Sequence, residues 1–215
     1  LTFNTAVPVK NGVYFIVEHC GKPNKRPRDA SGFKDKMDEG AEFMINDISM
    51  IIDNLEPVKF RTAQRADLDF IAELESAPEN AAFIQPWSIQ KHELSLNNPD
   101  IRYFIIEAFP DNSPVGYIIL AGLCSPHDSL ELTRIVISRK GGGYGTAAFR
   151  LLKKWAFDTV GANRLWLDVK THNERAIYLY KKMGFTLEGT LRDCIKSGDT
   201  YESLHIMSLL RSEYD

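Results

Sequence analysis

Disulfide scaffolds, zinc ribbons and membrane spans are the architectures this sequence is least equipped to build. Its three cysteines, Cys20, Cys124 and Cys194, stand far apart, with no C-x-x-C pair and no histidine at ligand spacing, so neither a disulfide framework nor a metal site is indicated. A reducing, cytoplasmic setting is the expectation. No apolar run approaches the ~18 to 20 residues of a spanning helix. The opening stretch LTFNTAVPVKNG lacks the charged-then-apolar form of a secretory signal, and it starts on Leu1 rather than methionine, consistent with a true N-terminus further upstream. Charge of one sign is missing too. Lysine and arginine number 26 against 29 acids, a net charge of -3, which offers no basic field to nucleic acid or an anionic membrane. Neither partner is expected, and function has to come from a local site.

What is present is enough for one core with a small appendage: 215 residues, 44% of them hydrophobic. Residues 1–57 read as an extension made of a strand, GVYFIVEHC, a polar basic loop over residues 21–36, and a helical pattern in which Met44, Ile48, Ile51 or Ile52, and Leu55 recur until Pro57 stops it. Such a piece cannot bury its apolar face alone. It docks on the main body or on a second chain, so a homodimer is one of two expected outcomes.

Residues 58–215 carry the main domain. A strand VKFRTA leads to helical ADLDFIAELES and, past Pro78 and Pro86, to helical SIQKHELSLNN. Three apolar runs, IRYFIIEA, VGYIILAGL and LELTRIVI, are separated by DNSP and SPHDS and suggest an antiparallel meander. A helix from Thr146 to about Val160, a strand RLWLDV and a helix NERAIYLYKKM closed by Gly184 follow, and two strands, FTLEGTLRDCI and TYESLHIMSLL, flank the turn KSGD. The expected class is a mixed α/β (α+β) sheet.

Between the third meander strand and its helix lies KGGGYG, four glycines in six positions. Glycine opening a helix lets backbone N–H groups approach an anion, aided by the partial positive charge of the helix end. A nucleotide P-loop, G-x-x-x-x-G-K-S/T, fails because Thr146 and Ala147 follow where Lys-Ser/Thr is required, and G-x-G-x-x-G fails because position 146 is threonine. On the glycines alone a plain turn and an anion site are equally good readings.

Lys140, Gly141, Gly142, Gly143, Tyr144 and Gly145 follow R/Q-x-x-G-x-G/A with lysine first, and about 30 residues later VKTHNERAIYLYKKMGF follows N-x-x-A-x-x-x-Y-x-K-x-G-F. The two elements in this order resemble the GNAT superfamily of N-acetyltransferases, over roughly Val58 to Leu210, and within it the branch that includes ribosomal-protein N-terminal acetyltransferases. The resemblance implies the acyl-CoA N-acyltransferase fold, a mostly antiparallel sheet with one parallel, splayed strand pair flanked by helices. It implies acetyl-CoA as co-substrate, an amine acceptor and no metal. Lys140 to Gly145 and Thr146 would meet the pyrophosphate. Ile135, Val136 and Ile137 would wall the thioester cleft and offer backbone N–H groups to the pantetheine and acetyl carbonyl. Asn173, Ile177 and Tyr180, at i, i+4 and i+7 of the later helix, complete the CoA-binding set.

For chemistry, an ammonium with a pKa near ~10.4 has to lose a proton before it attacks. Two carboxylates compete as base: Glu131, four residues before Ile135, and Asp168, twelve before Tyr180. Each resembles the base of a different branch, and each could equally be a plain partner of Arg134 or Lys170. Tyr180 is the candidate acid for the departing thiolate, on the resemblance. Trp87 either lines the acceptor mouth or plugs the core, and the histidines show no pairing. The expected reaction is direct acetyl transfer to a primary amine on a small molecule or a protein. The alternative is a non-catalytic CoA-binding regulatory module that uses the first 57 residues as its interaction surface.

Overall fold

The computed structural model describes residues 57–214; the expected strand, loop and helix of the N-terminal extension fall on residues 1–56, outside the described residues. Seven strands form one sheet. They are β1 (Val58–Thr62), β2 (Ile101–Ala108), β3 (Pro114–Ala121), β4 (Ser129–Ile137), β5 (Arg164–Lys170), β6 (Thr186–Ser197) and β7 (Thr200–Leu210), in the spatial order β1-β2-β3-β4-β5-β7-β6. Every neighbouring pair is antiparallel except β4 and β5. That is the mixed sheet expected from the element order, with β7 inserted between β5 and β6 through the KSGD hairpin.

β2 and β3 are buried over most of their length, Tyr103–Ala108 and Val115–Leu120, because helices cover both faces. On one face, Phe104 and Ile106 of β2 and Ile118 and Leu120 of β3 pack under α3 (Tyr144–Lys154) and α4 (Glu174–Lys182). On the other, Tyr103, Ile105, Tyr117 and Ile119 pack under α1 (Leu68–Ser76) and the segment leading to α2 (Ile89–Leu96). α3 runs on into a π-helical turn, Trp155–Thr159, where the sequence pattern suggested one continuous helix. α4 ends as its sequence indicated, with Gly184 at φ 94°.

Two irregularities shape the middle of the sheet. β4 and β5 share a ladder only at Ser129↔Arg164, Leu130↔Leu165 and Glu131↔Trp166; beyond these they part. On its other side β4 pairs Arg134 with Ile119 and Leu132 with Leu120, so Thr133 is an extra, bulged residue. The bulge reverses the alternation. Leu130 and Leu132 join the core under α3 and α4, and after the bulge it is Ile135 and Ile137 that pack there, while Val136 turns to the opposite face.

Candidate active site

The gap between β4 and β5 opens into a cleft of about 1230 Å³, lined by both strands, the glycine loop, the start of α4, the α1–α2 connection and the β6–β7 hairpin. Splaying has a direct chemical result. Ser138 N–H bonds back to Val115 on β3, and amide directions alternate along a strand, so the Ile135 and Ile137 N–H groups point to the open edge.

At the end of β4 the chain reaches α3 through a turn in which Gly141 has φ 93° and Gly143 φ 75°. Gly143 is the N-cap residue, and its carbonyl takes the Ala147 N–H. The N–H groups of Tyr144, Gly145 and Thr146 therefore begin the helix without intrahelical acceptors. Lys140, Gly141, Gly143, Tyr144, Gly145 and Thr146 all line the cleft, and Arg139, Arg175 and Lys196 add positive charge to its wall. Gly142 does not line it; a side chain there would meet the Tyr144 ring.

On α4, Asn173 caps the helix, its side-chain oxygen accepting from Ala176 N–H at 3.2 Å. Asn173, Ala176 and Tyr180 face the cleft, whereas Ile177 packs into the core beside it. Tyr180 is packed edge-on against Phe149, with ring centroids 5.3 Å apart. Burial, and then the charge of Asp168, push its phenol well above the usual tyrosine range.

The carboxylates come from the other face. Leu165, Leu167 and Val169 of β5 enter the core under α3 and α4, so Asp168 points to the opposite face, as does Glu131 by the alternation before the bulge. Both border the cleft. The gap between the strands thus brings a phenol from one side of the sheet and two carboxyls from the other to one space. Burial, then Asp168, raise the Glu131 carboxyl above the ordinary range; burial raises Asp168, with Arg134 pulling the other way. The buried Thr133 hydroxyl at the bulge draws the Glu131 carboxyl the other way, though it makes no hydrogen bond of good geometry among the described residues.

The cations near these acids in sequence, Arg134 and Lys170, form their ion pairs with other carboxylates. Arg134 pairs with Glu75 of α1, which is 0% exposed. Lys170 pairs with Glu202 of β7 at 2.6 Å. Among the described residues, neither Glu131 nor Asp168 forms an ion pair.

A buried polar network under the cleft went unseen in the sequence. Glu75 accepts from Tyr117 O–H at 2.8 Å and from Trp87 N–H at 2.8 Å, and its carboxylate lies 3.5 Å from the fully buried His92. His92 also meets the Tyr103 hydroxyl at 3.2 Å, which corrects its reading as an unpaired histidine. Trp87 does both things weighed for it, lining the cleft and packing on the core under α1. The available signal was Glu75 itself: with Leu68 and Ile71 it occupies the apolar face of α1, where an acid requires partners.

Residues 68–185 match the model of the acetyltransferase (GNAT) family. The chain belongs to that family. It is 27% identical over 169 residues to spermidine N(1)-acetyltransferase of Escherichia coli K12, covering 73% of this chain and 88% of that protein. A Bacillus subtilis protein provisionally named as a ribosomal-protein alanine N-acetyltransferase is 32% identical over 128 residues, 58% of this chain and 78% of its own length. Among solved structures, spermidine N-acetyltransferase of Vibrio cholerae in complex with CoA and spermine superposes with a TM-score of 0.65 at 24% identity, over 74% of this chain and 98% of that one. The chain is an acetyl-CoA-dependent N-acetyltransferase that acylates an amine, on the fold its motifs implied. Its likeness extends to polyamine enzymes as well as to the ribosomal-protein branch suggested by its motifs.

Proposed function

We propose that the acceptor is a polyamine or a similarly flexible polycation, bound with its reacting amine between Glu131 and Asp168. The observation that carries this reading is the pair of carboxyls facing the cleft without cationic partners, while Arg134 and Lys170 beside them are neutralised by Glu75 and Glu202. Two acids without ion-pair partners attract an ammonium and disfavour neutral or anionic acceptors. The polyamine relatives support the same class.

In this reading Lys140 and the amides from Gly141 to Thr146 hold the pyrophosphate of acetyl-CoA, and the Ile135 and Ile137 N–H groups hold the pantetheine and the acetyl carbonyl oxygen. Val136 backs that strand edge from the opposite face. Gly142 and Ile177 serve by shaping the loop and seating α4, because neither borders the cleft. Glu131 takes a proton from the ammonium, directly or through a water held by the Thr133 hydroxyl. The amine nitrogen then bonds to the acetyl carbon, negative charge collects on the carbonyl oxygen against the β4 amides, and the carbon–sulfur bond breaks. Tyr180 protonates the leaving thiolate and recovers its proton from the newly acylated nitrogen. A buried phenol stays protonated at neutral pH and so is always in the donor form.

Acetyl transfer to spermidine, spermine, amino acids and N-terminal peptides tests the acceptor class. Polyamines are expected to give the highest kcat/KM, with Glu131→Gln and Tyr180→Phe each lowering kcat ~10²-fold or more. Preference for an alanine N-terminal peptide would replace the polyamine reading with the ribosomal-protein one. Full turnover in both variants would remove the catalytic assignment.

A further inference from the structure

Between α1 and α2 the chain covers the cleft with residues 77–88. This segment forms no ladder with the sheet; its own turns are local, from Asn80 and Ala81 N–H to Ala77 and from Phe83 and Ile84 N–H to Asn80. Its two ends are held to α1, by Asn80 Nδ2–H to the Leu74 carbonyl and by Trp87 N–H to Glu75, and its middle is reached from both sides of the gap. From β4, Arg134 donates Nη2–H to the Gln85 carbonyl at 3.1 Å and lies 4.8 Å from the centre of the Trp87 ring. From β5, Lys170 donates to the Ala82 carbonyl at 2.9 Å, and the neighbouring His172 ring meets Phe83 with centroids 5.7 Å apart.

We propose that Arg134 and Lys170 are matched positioning residues that clasp segment 77–88 across the gap and so set the width of the amine-accepting side of the cleft. Each cation is oriented by a carboxylate behind it, Glu75 for Arg134 and Glu202 for Lys170. The side chains of both pairs are mostly shielded: 12% and 0% exposed for Arg134 and Glu75, 16% and 19% for Lys170 and Glu202. Shielded ion pairs hold a side chain far more firmly than exposed ones. The two carbonyls they reach, on Ala82 and Gln85, are close in sequence and tied to opposite strands. The segment therefore spans the opening and follows the spacing of β4 and β5 rather than moving freely. The same arrangement explains why these cations leave Glu131 and Asp168 unpaired. The role in acceptor binding rests on the proposed function; the clasp itself is a separate physical claim.

Lys170→Met tests it, because Lys170 is nearer solvent than Arg134 and its loss leaves the Glu75 network intact. Lys170→Arg keeps a donor for Ala82. In Lys170→Met the KM for the amine is expected to rise roughly tenfold, reflecting lost orientation, while kcat and the KM for acetyl-CoA stay within about threefold, and Lys170→Arg restores most of the amine KM. A general structural role would instead move both KM values together. Hydrogen exchange read on the same folded variant separates the two claims: amides in 77–88 should exchange faster while those of α3 and α4 do not change. Unaltered exchange in 77–88, or an amine KM equal to that of the unmodified protein, overturns the clasp. If the unmodified protein transfers acetyl to no polyamine but exchange in 77–88 still quickens in the variant, the proposed acceptor fails and the clasp stands.

Discussion

Across the gap where β4 and β5 part, the charge of Asp168 adds to burial in lifting the carboxyl of Glu131. The two acids face the same side of the sheet, and the nearby Arg134, which draws the Asp168 carboxyl down, forms its ion pair with Glu75. An acid with a raised pKa is a better proton acceptor once ionised. It also withdraws stability: the folded protein holds more protons than the unfolded chain above the ordinary carboxyl range, so these two groups reduce stability as pH rises through that window to their raised values.

Asp168→Asn should therefore do two things. With Glu131 as the proposed base, the acid limb of kcat/KM is expected to move to lower pH because a like charge has gone, and the melting temperature at neutral pH to rise. A pH–rate profile and a thermal melt check both. An unmoved limb would mean that burial alone sets the Glu131 value.

Glu75 titrates in the opposite direction. Burial pushes its carboxyl up, but the neighbouring His92 ring, the Arg134 guanidinium and the Trp87 N–H outweigh it and hold the pKa at about 2. Stability from this group is complete above the ordinary carboxyl pKa and is lost as pH falls from there toward about 2. Glu75→Gln leaves Arg134 uncompensated in a shielded site, a change expected to cost ~3 to 5 kcal/mol. Denaturant unfolding at neutral pH and at pH values between the ordinary carboxyl pKa and about 2 measures it: the gap between variant and original should narrow only within that acidic window.

Much of the cleft was legible because chemistry there constrains short stretches of chain. KGGGYG could be read as a helix-opening loop, and Asn173 as a cap, from residue type and spacing alone. The slip in β4 was not legible: after Leu130 and Leu132 the run Ile135-Val136-Ile137 is apolar at every position, so its parity is undefined until the bulge at Thr133 sets it. Long-range pairing could not be read either. Nothing local tells Arg134 to choose Glu75, 59 positions away, over Glu131 on its own strand, nor tells β7 to insert beside β5. Those choices depend on which faces meet after the layers assemble.

Gly116 on β3 is a sharper case of assembly deciding residue type. A Cβ built there would stand 2.2 Å from the Val136 carbonyl oxygen and 3.2 Å from Ile137, both on β4. The obstacle is backbone, which cannot swing aside. Gly116→Ala forces β3 and β4 apart where β4 lines the cleft. A loss of ~1 to 3 kcal/mol or more is expected in equilibrium unfolding, with a rise in the KM for acetyl-CoA. Unchanged stability would show that the strands can separate without strain.

The two helix starts that border the cleft separate stability from binding. Asn173→Ala removes a cap from α4, and its cost should be ~1 kcal/mol. Gly143→Ala at the start of α3 meets no neighbouring atom within 4 Å, but it imposes a side chain on a residue at φ 75°, a strain of ~1 to 2 kcal/mol. The stability losses are thus alike, while the consequences for acetyl-CoA differ. If the amides after Gly143 hold the pyrophosphate, the strained turn relaxes by moving them, and the KM for acetyl-CoA rises several-fold more in Gly143→Ala than in Asn173→Ala. Steady-state kinetics with acetyl-CoA varied at saturating amine, beside unfolding curves for both variants, distinguish a binding loop from a turn that merely starts a helix. Equal KM values at equal loss of stability would return KGGGYG to the second description.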